Sequence, residues 1–171
     1  ATANYEYIDY AVTVTGGTAN KTTAHYGDTV TITANEPETG KEFTGWTIEG
    51  VTVENTSVDE LTFTMPAGNV TATANYEYID YTVTVNGGTA NKTTAHYGDS
   101  ITIKAEIPTG MSFVGWTLEG VTADTSGFSI NFTMPANNVT ATAKYVYNNY
   151  NVTVNGGTAN KTTAHYGDSI T

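Results

Sequence analysis

The residues of this chain best suited to chemistry are three histidines, each in one and the same setting. His25 lies three residues before Asp28 and four after Lys21, inside the block "GGTANKTTAHYGD" at 16–28. The block returns unchanged at 87–99, with Lys92, His96 and Asp99, and at 156–168, with Lys161, His165 and Asp168. An imidazole and a carboxylate make two ligands where zinc takes three or four. Each copy has one histidine, so a metal centre would require copies folded onto one another, and a surface histidine on an edge strand is the simpler reading. Nucleophilic catalysis is no better supplied: Ser100 after Asp99 becomes Thr29 in the first copy, and no "GxSxG" elbow occurs. Paired carboxylates do not recur either, since Glu36 aligns with Ile107 and Glu42 with Ser112. Glu49 and Glu119 persist as lone acids, without the partner that acid–base work needs. The pattern points away from an enzyme, and no cofactor is expected.

Binding chemistry leaves more candidates. The chain carries six lysines against seventeen carboxylates, a formal charge of −11. Nucleic acid and anionic membrane surfaces are therefore unsuitable partners. Calcium takes clustered oxygen ligands, but no "DxDxDG" run occurs, and Glu77 and Asp80 give way to Val146 and Asn149 in the next copy. Lys21, Lys92 and Lys161 each follow an asparagine, which raises the question of a lysine–asparagine cross-link; such a bond needs a lysine in an apolar core, whereas "ANKTTA" reads as exposed. The "NKT" triplets fit a glycosylation acceptor, a match that arises easily in so threonine-rich a chain. Trp46 and Trp116 could form a sugar-stacking platform, but a lone tryptophan between Phe and Gly in a small β unit reads first as a core anchor, together with Phe63, Phe132, Met65 and Met134. Nine of the twelve tyrosines cluster at three places, among them Tyr76, Tyr78 and Tyr81, then Tyr145, Tyr147 and Tyr150. These read as packing between repeats ahead of glycan stacking, because a large ring with a polar end suits a partly wet contact.

The elements that must hold these residues follow from the repeat. Ala1, Ala72 and Ala141 open "ATANYEYIDY", "ATANYEYIDY" and "ATAKYVYNNY", a period of 71 and then 69 residues. The expected division is residues 1–9 as the last strand of a preceding repeat, 10–78 and 79–147 as complete repeats, and 148–171 as the start of a third. By its phase the chain reads as a window onto a longer array. Cysteine is absent, so disulfides are excluded. No stretch reaches the roughly 20 apolar residues of a membrane helix, and no signal peptide opens the chain.

Strict alternation marks half-buried strands. "YTVTVNGG" (81–88) sets Tyr81, Val83 and Val85 against Thr82 and Thr84; "DSITIKA", "LTFTMP", "INFTMP" and "NVTATANYEY" do likewise. In "FTGWTIEG" and "FVGWTLEG" the glycine beside tryptophan predicts a bulge or a close backbone approach. No segment carries a sustained 3.6-residue period. Five or six short strands per repeat are expected, in an all-β tandem array of ~70-residue sandwich-like repeats stacked end to end as a rod. The shared block reads as strand end, turn at Gly16-Gly17 and Gly87-Gly88, short edge strand, and turn at Gly27-Asp28 and Gly98-Asp99. No Gly/Ser/Pro linker parts the repeats, which disfavours flexible beads.

The succession "VTVNGG" (83–88), Gly98-Asp99, Gly115-Trp116 and "FTMPANNVT" (132–140), with counterparts in the first repeat, resembles the divergent internalin-type B-repeat modules of bacterial surface proteins. The resemblance implies secreted, wall-attached proteins in which such repeats serve as stalks or spacers, and it offers a β-grasp-like fold as the alternative to the sandwich. The leading expectation is a non-enzymatic spacer at the bacterial cell surface whose partners are neighbouring repeats of the same chain. Two alternatives stand beside it: a segment of an extracellular filament, with other copies of the chain as partners, and an adhesin binding glycan or a host surface protein.

Overall fold

A computed structural model describes residues 2–171 and contains no helix among them. The chain forms two compact units, Ala1–Ile79 and Asp80–Thr171. The first contains β1 (Tyr10–Thr15), β2 (Gly17–Ala19), β3 (Thr23–Ala24), β4 (Thr29–Ala34), β5 (Lys41–Glu49), β6 (Glu60–Thr64) and β7 (Val70–Tyr78). They make two open sheets, in the orders β3-β1-β7-β5 and β2-β4-β6. The pairing of β1 with β7 is parallel, Val12 opposite Val70 through Thr15 opposite Thr73, and every other pair is antiparallel.

Alternation decides which face is buried. From the first sheet Val12, Trp46, Val70, Ala72 and Ala74 point inward; from the second come Val30, Ile32, Leu61 and Phe63, and Met65 closes the core just beyond β6. The intervening threonines stay outside, where a β-branched side chain suits a strand without needing a core. The sandwich is thus the observed architecture, and the β-grasp alternative, which requires a helix, does not apply to the described residues.

The second unit repeats the plan with β8 (Tyr81–Asn86), β9 (Gly88–Ala90), β10 (Thr94–Ala95), β11 (Ser100–Ala105), β12 (Met111–Glu119), β13 (Ser129–Thr133) and β14 (Val139–Tyr147). Its sheets are β10-β8-β14-β12 and β13-β11-β9, around Val83, Ile101, Ile103, Trp116, Ile130, Phe132, Met134, Val139 and Ala141. Residues 148–171 add only the small pair β15 (Tyr150–Asn151) and β16 (Thr163–Ala164).

Each repeat has seven strands rather than five or six, because the shared block contributes two short strands. Gly16, at φ 74°, turns the chain out of β1. Gly17 then enters β2 in the other sheet, and the chain returns to the first sheet as β3. Gly17 and Gly88 therefore lie in strands and not in turns. The glycine before tryptophan makes the bulge: register shifts between Phe43 and Gly45, and between Phe113 and Gly115, at φ 136° and 139°. One extra residue re-phases the strand, so Phe43 and Trp46, three apart, both face the core with rings 5.8 Å apart, edge to face.

Candidate functional site: the repeated corner

The block builds a corner whose polar residues are engaged with one another. His25, Tyr26, Gly27 and Asp28 form a turn closed by the Asp28 amide donating to the His25 carbonyl at 3.1 Å. Gly27 sits at φ 87°, where a side chain would be strained. The Asp28 carboxylate accepts from Lys21 Nζ at 3.0 Å and from the His25 amide at 3.3 Å. Asn20 Oδ1 accepts from the Thr31 amide at 2.9 Å, tying the start of the corner to β4. The Gly27 amide donates to the Met65 carbonyl and the Met65 amide to the Asp28 carbonyl, at 2.9 and 2.7 Å, which fastens the turn to the end of β6.

The second copy repeats all of these contacts, and the third repeats those within the block and the asparagine tie. Lys92 and Lys161 reach Asp99 and Asp168 at 2.8 and 2.9 Å, and Asn91 and Asn160 accept from Thr102 and Thr171. The third corner closes although residues 148–171 carry only the β15–β16 pair. Its lysine, aspartate and asparagine contacts are the same local ones as in the complete repeats.

Asp28 is held below the ordinary aspartate value of 3.8, first by the Lys21 ammonium and then by the His25 amide. Asp99 and Asp168 are lowered by the same two kinds of donor. A carboxyl that ionises at lower pH when folded favours the folded state above its unfolded value, and that contribution fades as pH falls through the depressed folded value. Stability curves of the parent protein and of Asp99→Asn are therefore expected to stand apart near neutral pH and to converge at the acid end. A gap unchanged by pH, followed by urea unfolding, would rule out this coupling.

The lysine side chains of the corner are 41–43% exposed and salt-bridged, a setting opposite to the apolar core that a lysine–asparagine cross-link needs. His25 Nε2 lies 3.0 Å from Asp9 Oδ1 and His96 Nε2 3.0 Å from Asp80 Oδ1; opposite His165 the acidic position is taken by Asn149. Among the described residues no group of three or more His, Asp or Glu converges as metal ligands.

Trp46 and Trp116 are 4% and 3% exposed, with Nε1 donating to the Val58 carbonyl at 3.1 Å and to the Gly127 carbonyl at 3.0 Å. Neither offers a face to a sugar. Phe63, Phe132, Met65 and Met134 are buried beside them. The clustered tyrosines divide into two kinds. Tyr76 and Tyr145 turn into their own repeats: Tyr76 donates toward the Gly16 and Asn35 carbonyls at 2.9 and 2.7 Å, and Tyr145 toward those of Gly87 and Glu106. Tyr78, Tyr147 and Tyr150 are 58%, 60% and 49% exposed, and Tyr81 is half-buried. Lys41 Nζ stands 5.1 Å above the Tyr78 ring.

Two contributors escape sequence reasoning. Asn69 and Asn138 accept from the Ala11 and Thr82 amides at 2.9 and 2.8 Å, joining the approach to the last strand to the first; the recurrence of "NVT" is the signal that marks them. An open cleft of about 210 Å³ is lined by Asn35, Glu36, Glu38, Lys41 and Tyr76. The Glu38–Lys41 ion pair in it, 2.7 Å, has no counterpart at Met111 in the second repeat, so the cleft is no repeated feature.

Two helix-free sandwiches, each cornered by the same block and sharing one core pattern, define a tandem-repeat structural domain. The model of the divergent InlB B-repeat domain matches residues 10–80 and again 81–149. The chain belongs to that family, a repeat domain found in bacterial surface proteins and not a known family of enzymes. A search of curated proteins gave no significant match.

Proposed function

We propose that this chain is a non-enzymatic spacer region of a protein displayed on a bacterial surface. The observation that carries the reading is the internal use of the repeated block. Lysine, aspartate, asparagine and both turn amides are engaged in the same hydrogen bonds in all three copies, so the identity of those residues across copies is accounted for by the corner itself. A site kept for a ligand would leave polar groups unspent.

The sheet edges favour a spacer over a filament grown by edge pairing. β5, nine residues long, is the edge most open to a second chain, and proteins guard such edges with bulges, charges or covering loops. Here β5 has all three: the bulge before Gly45, the charged Lys41, Glu42 and Glu49, and the following loop, whose Thr56 carbonyl takes the Trp46 amide at 2.8 Å. In β12 the Thr125 carbonyl takes the Trp116 amide at 2.9 Å.

Electron microscopy with light scattering tests the proposal. Single particles of monomer mass, lengthening only as repeats are added, are the expected result. Long uniform fibres from the purified chain would overturn it in favour of a filament, and a saturable glycan or protein ligand lost on changing Tyr147 and Tyr150 would overturn it in favour of an adhesin.

A further inference from the structure

One feature of the corner is not used up inside it: its His-Tyr pair, of which His25 in the first block and both His165 and Tyr166 in the third meet a residue from outside their own repeat. Within the second unit, Tyr166 of the third block lies against Gly110 in the Pro108-Thr109-Gly110 turn of the preceding repeat. A methyl group on Gly110 would come within 2.3 Å of Tyr166 Cβ and 3.0 Å of its Cγ. Beside it the ring of His165 packs on Tyr147, the last residue of β14, with centroids 5.2 Å apart and planes tilted by 46°. The Asn148 amide donates to the Gly110 carbonyl at 2.8 Å, holding turn and strand end together. Within the first unit, the equivalent His25 packs on Tyr7 at 4.9 Å and 41° and meets Asp9 at 3.0 Å. Tyr7 occupies the repeat position of Tyr147, so the same ring pair forms in two separate settings.

We propose that the His-Tyr pair of the block is a docking element, and that its partner is the end of another copy of the repeat: the glycine of the Pro-x-Gly turn and the tyrosine that closes the last strand. Continuity with the Gly110–Tyr166 contact identifies the occupant. Gly110, at φ 79°, supplies a surface without a side chain, against which the tyrosine packs, while the histidine meets the neighbouring ring at a tilt. Tyr26 of the first block is 73% exposed and presents the same side chain for such a turn. The docking holds whether the array acts as a spacer or as a filament, so it does not depend on the function proposed above.

Hydrogen exchange on the full chain tests this, read at the amides of Val152 and Asn160, which bond within residues 148–171 to the Thr162 and Thr171 carbonyls. Tyr166→Ala and Gly110→Val are each expected to speed exchange there by roughly tenfold, with the two changes together adding little more. The Gly110 Hα resonance, shifted by the Tyr166 ring, is expected to move in Tyr166→Ala and to stay in place in Tyr26→Ala. Should Gly110→Val unfold the second repeat itself, seen as lost protection in β8 and β14, Tyr166→Ala alone decides. Unchanged exchange at Val152 and Asn160 together with an unmoved Gly110 resonance in Tyr166→Ala would overturn the proposal.

Discussion

Trp116→Ala is expected to unfold the second repeat at room temperature or leave it on the verge of unfolding. The indole is 3% exposed and meets Phe113 edge-on at 5.6 Å. It is packed among Val83, Ile101, Ile103 and Phe132. Truncation to alanine gives up the burial of a large aromatic and opens a cavity, a loss of ~3–5 kcal/mol. It also strands the Gly127 carbonyl that accepts from Nε1. A core of about 70 residues supplies little more than that in total. Urea unfolding with exchange at β8, β11 and β14 measures the effect, and the fluorescence of Trp46 reports the other unit in the same sample. A loss below about 1 kcal/mol would mean that the indole is not the anchor of the core.

The second large effect is at Gly88, and its control lies within the chain. A methyl group there would stand 2.3 Å from the Lys104 carbonyl oxygen and 2.9 Å from Trp116 Cη2. The first is backbone of the paired strand β11 and cannot swing aside. Gly88→Ala should therefore cost about 2–3 kcal/mol and lower the melting temperature of its repeat by roughly 10 °C or more. Gly157 is the same glycine of the same block, but its added methyl would meet only Val154 Cγ1, at 3.4 Å. Gly157→Ala is expected to stay within about 0.5 kcal/mol of the parent. Equal effects at the two positions would show that glycine is required by the local turn, rather than by the β11 backbone and the tryptophan that lie over it.

That contrast explains what was legible in the sequence and what was not. β1, β4, β6 and β7 each bury one face and leave threonine on the other, so alternation alone reveals them. β2 and β3 are only three and two residues long, too short to show alternation, and their existence depends on which sheet the chain joins after Gly16, a tertiary fact. Trp46 and Phe43 are out of phase for an unbroken strand; the bulge that reconciles them was signalled by Gly45. For the tyrosines, clustering marked the place but not the partner. Tyr76 and Tyr78 are two residues apart and similar in sequence setting, and what separates the inward ring from the exposed one is the pair of carbonyls of Gly16 and Asn35, 60 and 41 positions away in the chain. The corner was the reverse case. Its turn residues were readable, but the Lys21–Asp28 pair and the Asn20 contact with Thr31 depend on a bend that periodicity does not describe.

The parallel pairing of β1 with β7 has a mechanical consequence. The chain enters the repeat at the foot of β1 and leaves it at the head of β7, and the two strands are neighbours running the same way. Tension along the chain therefore drags them past each other lengthwise. The hydrogen bonds from Val12–Val70 to Thr15–Thr73 are loaded together rather than peeled apart in turn, as a hairpin's would be. Such a clamp gives way in one step, so pulling single molecules from their ends should register one tall force peak per complete repeat. A train of low peaks would mean that the strands unzip. A domain that joins its first strand to its last in this sense resists being stretched at the point where a tether would carry load.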